Sequence, residues 1–298
     1  MFFTGVRTAM TDSLKGAELT VSAAKIATFA GVGVMIGPIL SQRVFINMLK
    51  LQAKHMFLVN VGLLAATAAV LGLTFGETLQ AEQKKPMDWV ACNPLNFISL
   101  LKSSRSMFWL MTTSGLQTCI DGYNIVESNF IYQRDQLNFS AAKQSNYLTF
   151  AGVKIIMGGM LGKPMMLKFG QLGLTTFSNI ANFTAQAIGM LASGPIGMYT
   201  HVLATGFGER KRDGVETLAT AEATRLGFGK GEITAGMSNF RSLANIGSPI
   251  LYAAVYNWGA GSNFPKVLFL ARMLVGAIVP ELTFRSIPKV ERQRLATA

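Results

Sequence analysis

The sequence is poor in charged residues. Only 14% of its 298 residues are Asp, Glu, Lys or Arg, whereas a soluble domain carries about 25%. Residues 56–75 and 171–195 contain no charged side chain at all. A helix of about 20 apolar residues crosses the hydrocarbon core of a bilayer. We therefore predict an integral membrane protein, and the composition argues against a soluble one.

Cysteine and histidine are also scarce, with two residues of each kind. Cys92 and Cys119 lie far apart and follow no metal-ligand or disulfide spacing. His55 and His201 are isolated from each other and from any acidic cluster in the sequence. We therefore predict no metal and no cofactor. An enzyme, such as a membrane-embedded lipid-modifying transferase, needs a convergent polar constellation and is the weaker alternative.

The net charge of +12 could indicate a nucleic-acid partner. Most Lys and Arg residues, however, lie in the short segments between apolar windows, and a majority of the 27 fall on the side of the predicted N-terminus. This is the pattern of the positive-inside rule. We predict no nucleic-acid partner, and we predict that both termini are cytoplasmic.

Apolar windows predict an all-α, polytopic helix bundle with about eight transmembrane helices, since helices satisfy their own backbone groups in lipid. The predicted spans are 26–45, 56–75, 107–127, 147–161, 172–192, an interrupted span from about 195, 236–258 and 264–284.

The chain contains a weak internal repeat. Three short segments near the first two spans are matched, in the same order, near the last two. The matched pairs are 15–20 with 230–234, 36–40 with 246–251, and 76–79 with 280–283. This offset predicts a repeat unit of six helices, of which the first copy shows only its last two. Four helices are then expected ahead of Met1.

Several motifs resemble those of the major facilitator superfamily, whose members have two six-helix halves. The glycines and proline of 31–38 resemble a motif of that family's fifth helix, and 76–79 resembles the end of its sixth. Residues 158–163, with Lys168 and Gly170, resemble the loop between helices eight and nine. Residues 231–249 are similar to the start of helix eleven, especially in drug/proton antiporters of the tetracycline-resistance type.

The resemblance covers nearly the whole chain, as helices five to twelve. It implies the end of an N-terminal half at 1–80, a cytoplasmic central loop at 81–105, a six-helix C-terminal half at 106–285 and a cytoplasmic tail at 286–298. The implied function is alternating-access transport of a small organic solute by a proton-coupled secondary transporter, of antiporter type. The implied partners are the lipid bilayer, the solute and protons. The alternative is a truncated or non-transporting protein, with a dimer expected if the native chain is as given.

Ionisable residues inside spans are the first candidates for function, because each is costly to insert into a membrane. In span three, Gln117, Asp121, Asn124 and Ser128 follow helical spacing and predict either a cavity-lining stripe or a polar helix contact. Lys154 lies in the middle of span four, and we predict that it pairs with Asp121.

Three further groups are candidates for the solute or ion path. In span five, Asn179 and Asn182 lie on one face with Thr175 and Gln186, and either line the cavity or bond neighbouring helices. Span six runs into the charged residues 209–213, which predict a broken helix with Arg212 and Asp213 facing inward, or a short helix before a cytoplasmic loop. Arg241 is expected near the cytoplasmic gate.

Glycine and proline positions carry structural predictions. The pairs Gly33–Gly37 and Gly158–Gly162 have the GxxxG spacing that permits close helix approach. Pro38 and Pro249 are expected to kink their helices. Arg272 in span eight is expected to extend to the membrane surface or to pair.

Overall fold

The computed structural model of the chain describes residues 16–74, 95 and 97–297, and all regular elements in these ranges are helical. The predicted all-α fold class is therefore confirmed. The helices are α1 (Gly16–Ile39), α2 (Ala53–Thr74), α3 (Phe97–Ser103), α4 (Arg105–Thr118), α5 (Gly122–Leu137), α6 (Ala141–Leu191), α7 (Pro195–Ala204), α8 (Lys211–Arg225), α9 (Lys230–Gly261), α10 (Val267–Met273), α11 (Val279–Arg285) and α12 (Lys289–Thr297).

Among the residues that the structure describes, four helical segments are long and apolar enough to cross a membrane by their length and composition. They are Lys25–Met48, Lys54–Thr74, Ala141–Leu191 and Val267–Arg285. The first combines α1 with a π-helical stretch, Leu40–Met48, and the last joins α10 and α11 through a second one, Leu274–Ile278. These segments support a multi-pass membrane protein.

Spans four and five are two helices that meet at a kink within α6, without the loop expected between them. In α6 a single residue, Gly170, leaves the helical region, with φ 63° and ψ −177°. A positive φ of this kind is accessible to glycine at little cost. One glycine therefore interrupts the helix where the sequence predicted a loop, and Lys163 and Lys168 remain helical.

Two predicted spans are each divided into two helices. Span six is α7 and α8, joined by a 3₁₀ turn at Thr205–Gly208, so the prediction of a broken helix is confirmed. Span three was predicted as one helix, and this is wrong. It consists of α4 and α5, separated by a turn at 119–121.

In the described part of the chain the core forms two apolar clusters, one on each side of these interruptions. One cluster contains Met111 of α4 and Val215 of α8. The other contains Ile125 of α5 and Val202 of α7. In both broken helices, the polar residues of the interruption therefore separate one apolar cluster from the other.

Helix α1 packs closely on α6. The Cα atoms of Gly31 and Gly152 face the opposing backbone, and a Cβ added to Gly31 would lie 2.8 Å from the backbone nitrogen of Ile156. By contrast, a Cβ on Gly33 or Gly37 would meet nothing within 4 Å in the described structure. The prediction that Gly33 and Gly37 permit close helix approach is therefore wrong for the contact of α1 with α6. Gly31 permits that contact instead. Pro38 lies just before the π-helical stretch.

Two segments predicted as irregular contain helices. The described part of the predicted central loop holds α3, whose Phe97 and Leu100 are buried in the core. The predicted tail holds α12, whose Leu295 joins the same cluster. Apolar residues in both segments account for this packing. The motif at 76–79 lies outside the described residues.

Candidate functional site

The two helix interruptions meet through charged side chains. The first interruption follows a local signal, because Asp121 precedes Gly122 and occupies the N-cap position of α5 with extended backbone angles. A carboxylate there is also favoured by the positive end of the helix dipole. In the second interruption, Glu209 and Arg210 lie between the end of the 3₁₀ turn and the first residue of α8.

Asp121 binds two cations of α8 at once. Its Oδ1 lies 2.8 Å from Nζ of Lys211, and its Oδ2 lies 2.9 Å from Nη1 of Arg212. The side chain of Lys211 is 5% exposed, whereas that of Arg212 is 34% exposed. Asp121 therefore neutralises one buried cation and one cation that remains accessible.

Lys154 pairs with Glu209 and not with Asp121, so the predicted Asp121–Lys154 pair is wrong. Its Nζ lies 3.0 Å from Oε2 of Glu209. Small residues on α6 allow this approach, since a Cβ on Gly158 would lie 2.5 Å from Cβ of Glu209 and one on Gly162 would lie 3.3 Å from Nε of Arg210. These distances agree with the prediction that Gly158 and Gly162 permit close packing.

We refer to Asp121, Lys154, Glu209, Lys211 and Arg212 as the ion cluster. It holds three cations and two carboxylates, so positive charge is in excess. Beside it, Arg210 pairs with Asp213 at 3.2 Å and adds no net charge. The predicted residues Arg212 and Asp213 are both partly accessible, and Arg212 belongs to the cluster while Asp213 lies at its edge.

The predicted stripe on span three is divided by the break at Asp121. Gln117 is buried and donates to Oδ1 of Asn179 at 2.8 Å. Asn124 donates to the carbonyl oxygen of Thr118 and to Oδ1 of Asn245. Asn124 and Ser128 also line a cavity of about 160 Å³ between α5 and α9, together with Pro249. The four residues consequently do not line a common surface.

The amides of span five bond to neighbouring helices. Asn179 donates to Oε2 of Glu281 at 2.9 Å, and Asn182 donates to the carbonyl oxygen of Gly208 at 3.4 Å. Both side chains are almost fully buried. These contacts favour the second of the two expectations, hydrogen bonding between helices. Arg241 pairs with Glu216 of α8, and its place at a cytoplasmic gate stays a prediction.

Arg272 is fully buried and does not extend to the membrane surface. Its guanidinium donates to Oδ1 of Asn129 and to Oγ of Ser128, both at 2.6 Å. The rings of Tyr252 and Phe269 lie 5.3 Å and 5.5 Å from its Cζ. Neutral acceptors and aromatic faces thus hold α10 against α5.

Sequence reasoning did not single out Glu209 and Lys211 as members of the site. Their signal was present, since both belong to the charged run 209–213 within a predicted span. The position of the first helix break also had a signal, because an Asp–Gly pair is typical of turns and helix starts. These two signals concern the positions of the helix breaks and carry no information on which charged side chains pair.

The sequence matches no protein-family model and no curated protein. Its fold is similar to that of the fucose:proton symporter of E. coli, known from the crystal structure of a variant. The TM-score is 0.66 at 14% sequence identity, and the likeness covers 98% of this chain and 72% of that one. The chain therefore has a major facilitator fold, and the antiporter type expected from the sequence is not shown.

Proposed function

We propose that the chain is an alternating-access secondary transporter that moves a small organic solute together with protons. The observation that carries this proposal is the ion cluster at the point where two broken helices meet, within a membrane helix bundle of transporter fold. Charged groups and helix breaks are tolerated within membranes where they line a path or cavity. Discontinuous helices build the binding sites of many secondary transporters.

The composition of the ion cluster favours a solute that carries an acidic group. Three cations face two carboxylates, and Arg212 is the most exposed of the three. Its planar guanidinium binds carboxylate and phosphate groups with two parallel hydrogen bonds. A solute anion on Arg212 would compete directly with Asp121.

This competition provides a route to proton coupling. When Asp121 takes up a proton, its negative charge is lost and its hold on Arg212 weakens, so that Arg212 becomes available to the solute anion. Proton and solute then occupy the site together, which favours symport. The protein with a similar fold is named a proton symporter. Antiport, which the sequence resemblance implied, stays a prediction that this mechanism does not require.

An enzymatic function has less support from the site. Nδ1 of His201 lies 2.8 Å from the carbonyl oxygen of Ala185, and Nδ1 of His55 accepts from the backbone N–H of Gln52. Both histidines are thus engaged with backbone groups. A truncated or non-transporting protein remains the other alternative, and dimerisation stays a prediction.

The proposal includes the topology expected from the sequence. Residues 1–80 would end an N-terminal half, 81–105 would connect the halves, 106–285 would form the C-terminal half, and 286–298 would follow it. Both termini would be cytoplasmic. The break of α4 and α5 and that of α7 and α8 then both lie within the C-terminal half.

Proton-coupled uptake can be measured in proteoliposomes that contain the protein at its native length and the pH dye pyranine. Dicarboxylates and phosphate monoesters would be added outside, because such anions do not cross a bilayer unaided. We expect at least one of them to enter and to acidify the lumen. Liposomes without protein are the control. Entry of anions without acidification, or entry of none of them, would contradict the proposal.

A further inference from the structure

A groove of about 260 Å³ lies between the second part of α6 and the segment that runs from α10 into α11. Its walls are apolar and its inner end is polar. Asn179 and Glu281 form the polar end, and Arg285 lies at the rim. The apolar walls are formed by Ile180, Phe183, Ile278 and Leu282.

The walls of this groove face out of the helix bundle. Ile180, Phe183 and Leu282 are exposed, and both bordering segments are long and apolar enough to cross a membrane. Exposed apolar side chains on such segments are expected to contact acyl chains. The groove therefore opens toward lipid.

The carboxylate of Glu281 is held in place by two side chains of α6. Its Oε1 accepts from Oγ1 of Thr176 at 3.1 Å, and its Oε2 accepts from Nδ2 of Asn179 at 2.9 Å. Asn179 is itself fixed, because its Oδ1 accepts from Gln117 of α4. This orientation differs from that of a loosely held surface carboxylate.

A change in helix geometry precedes Glu281. The π-helical stretch Leu274–Ile278 ends one turn earlier, and Pro280 is the neighbouring residue. Short π-helical insertions are frequent at functional sites because they rotate the residues that follow. Here the insertion contributes Ala277 and Ile278 to the groove and Glu281 to its polar end.

Arg285 supplies the opposite charge beside this carboxylate. Its Nε donates to Oε1 of Glu281 at 2.7 Å, and its side chain is 62% exposed. In the described part of the chain its two terminal nitrogens have no hydrogen-bond partner. The carboxylate of the polar end and the guanidinium of the rim therefore lie side by side.

We propose that the groove is a binding site for one phospholipid with an amino headgroup. The phosphate lies on the terminal nitrogens of Arg285, the ammonium group lies on the carboxylate of Glu281, and one acyl chain lies along Ile180 and Leu282. A phospholipid without an ammonium group would place negative charge beside Glu281 and bind less well. This site is separate from the ion cluster and does not depend on transport.

Native mass spectrometry of the delipidated full chain tests this site. Phosphatidylethanolamine and phosphatidylglycerol with identical acyl chains would be added at equal concentration. We expect the first to be retained preferentially, by about fivefold, which corresponds to an exposed ion pair. Glu281→Gln should abolish the preference, and Arg285→Gln should weaken retention of both lipids.

Matched variants make the result specific. Glu127→Gln alters an exposed carboxylate elsewhere and should leave the preference unchanged. Ile180→Trp should fill the groove and lower retention of both lipids while both charges stay intact. This variant keeps the test valid if Glu281→Gln does not fold. Equal retention of the two lipids, or a preference that persists in Glu281→Gln, would overturn the proposal. A dimer peak lost in Ile180→Trp would also overturn it, by assigning the groove to a second copy of the chain.

Discussion

Replacing Asp121 by Asn is expected to abolish proton-driven solute uptake. The amide cannot exchange a proton in the physiological range, and it removes the negative charge from both Lys211 and Arg212. Lys211 then loses the carboxylate that it contacts, and Glu209 is the one carboxylate left for the three cations of the ion cluster. Breaking a buried pair in this way costs about 3 kcal/mol of the free energy of unfolding. Proteoliposome uptake and denaturant unfolding in mild detergent measure the two effects.

A second variant separates coupling from stability. Asp121→Asn combined with Lys211→Met removes the uncompensated charge and should recover most of the lost free energy of unfolding. Proton-driven uptake should remain absent, while exchange of labelled for unlabelled solute should persist. Asp135→Asn, at the exposed pair with Arg134, is the matched control. Retention of proton-driven uptake by Asp121→Asn would show that the coupling group lies elsewhere.

Replacing Gly152 by Ala is expected to disrupt the packing of α1 on α6. The added Cβ would overlap the backbone of Met35, and a backbone cannot move aside without moving the helix. Overpacking of this kind lowers the free energy of unfolding by about 1–3 kcal/mol. We expect a loss near the upper end of this range, because the added Cβ meets backbone atoms. Denaturant unfolding in mild detergent measures the loss, and hydrogen exchange in α1 should rise.

The same substitution at Gly33 is the matched control. Gly33 lies in α1 with nothing within 4 Å of an added Cβ in the described structure. Alanine favours a helix over glycine by up to about 1 kcal/mol, so Gly33→Ala should be neutral or slightly stabilising. Equal losses in Gly33→Ala and Gly152→Ala would contradict the assigned α1–α6 interface.

The membrane helix bundle could be predicted from the sequence because its signal is strong and local. Uncharged windows such as 56–75 identify spans without any knowledge of their neighbours. The broken span at 195–225 was predictable for the same reason, since charges at 209–213 interrupt an apolar run. The break at Asp121 was missed because a single carboxylate within an apolar stretch reads equally well as a helical residue.

Partners across helices were harder to predict than the helices themselves. Lys154 and Asp121 are both isolated charges of adjacent predicted spans, so pairing them was reasonable. The actual partners, Glu209 and Lys211, lie just before α8 and at its first residue, and the rotation of this sequence-distant helix depends on the 3₁₀ turn before it. Hydropathy carries no information on such a rotation. For the same reason, the glycine of α1 that packs against α6 is Gly31, two residues before the predicted Gly33.

Alternating access requires that the ion cluster can be reached from both sides of the membrane, and cysteine labelling tests this most directly. In a cysteine-free background, Arg212→Cys would be labelled with an impermeant maleimide from each side separately. Arg134→Cys and Arg225→Cys, at exposed positions in the last turn of α5 and at the end of α8, should each react from one side only. Alternating access predicts that Arg212→Cys reacts from both sides. Reaction from one side only, with and without added solute anions, would contradict alternating access at this site.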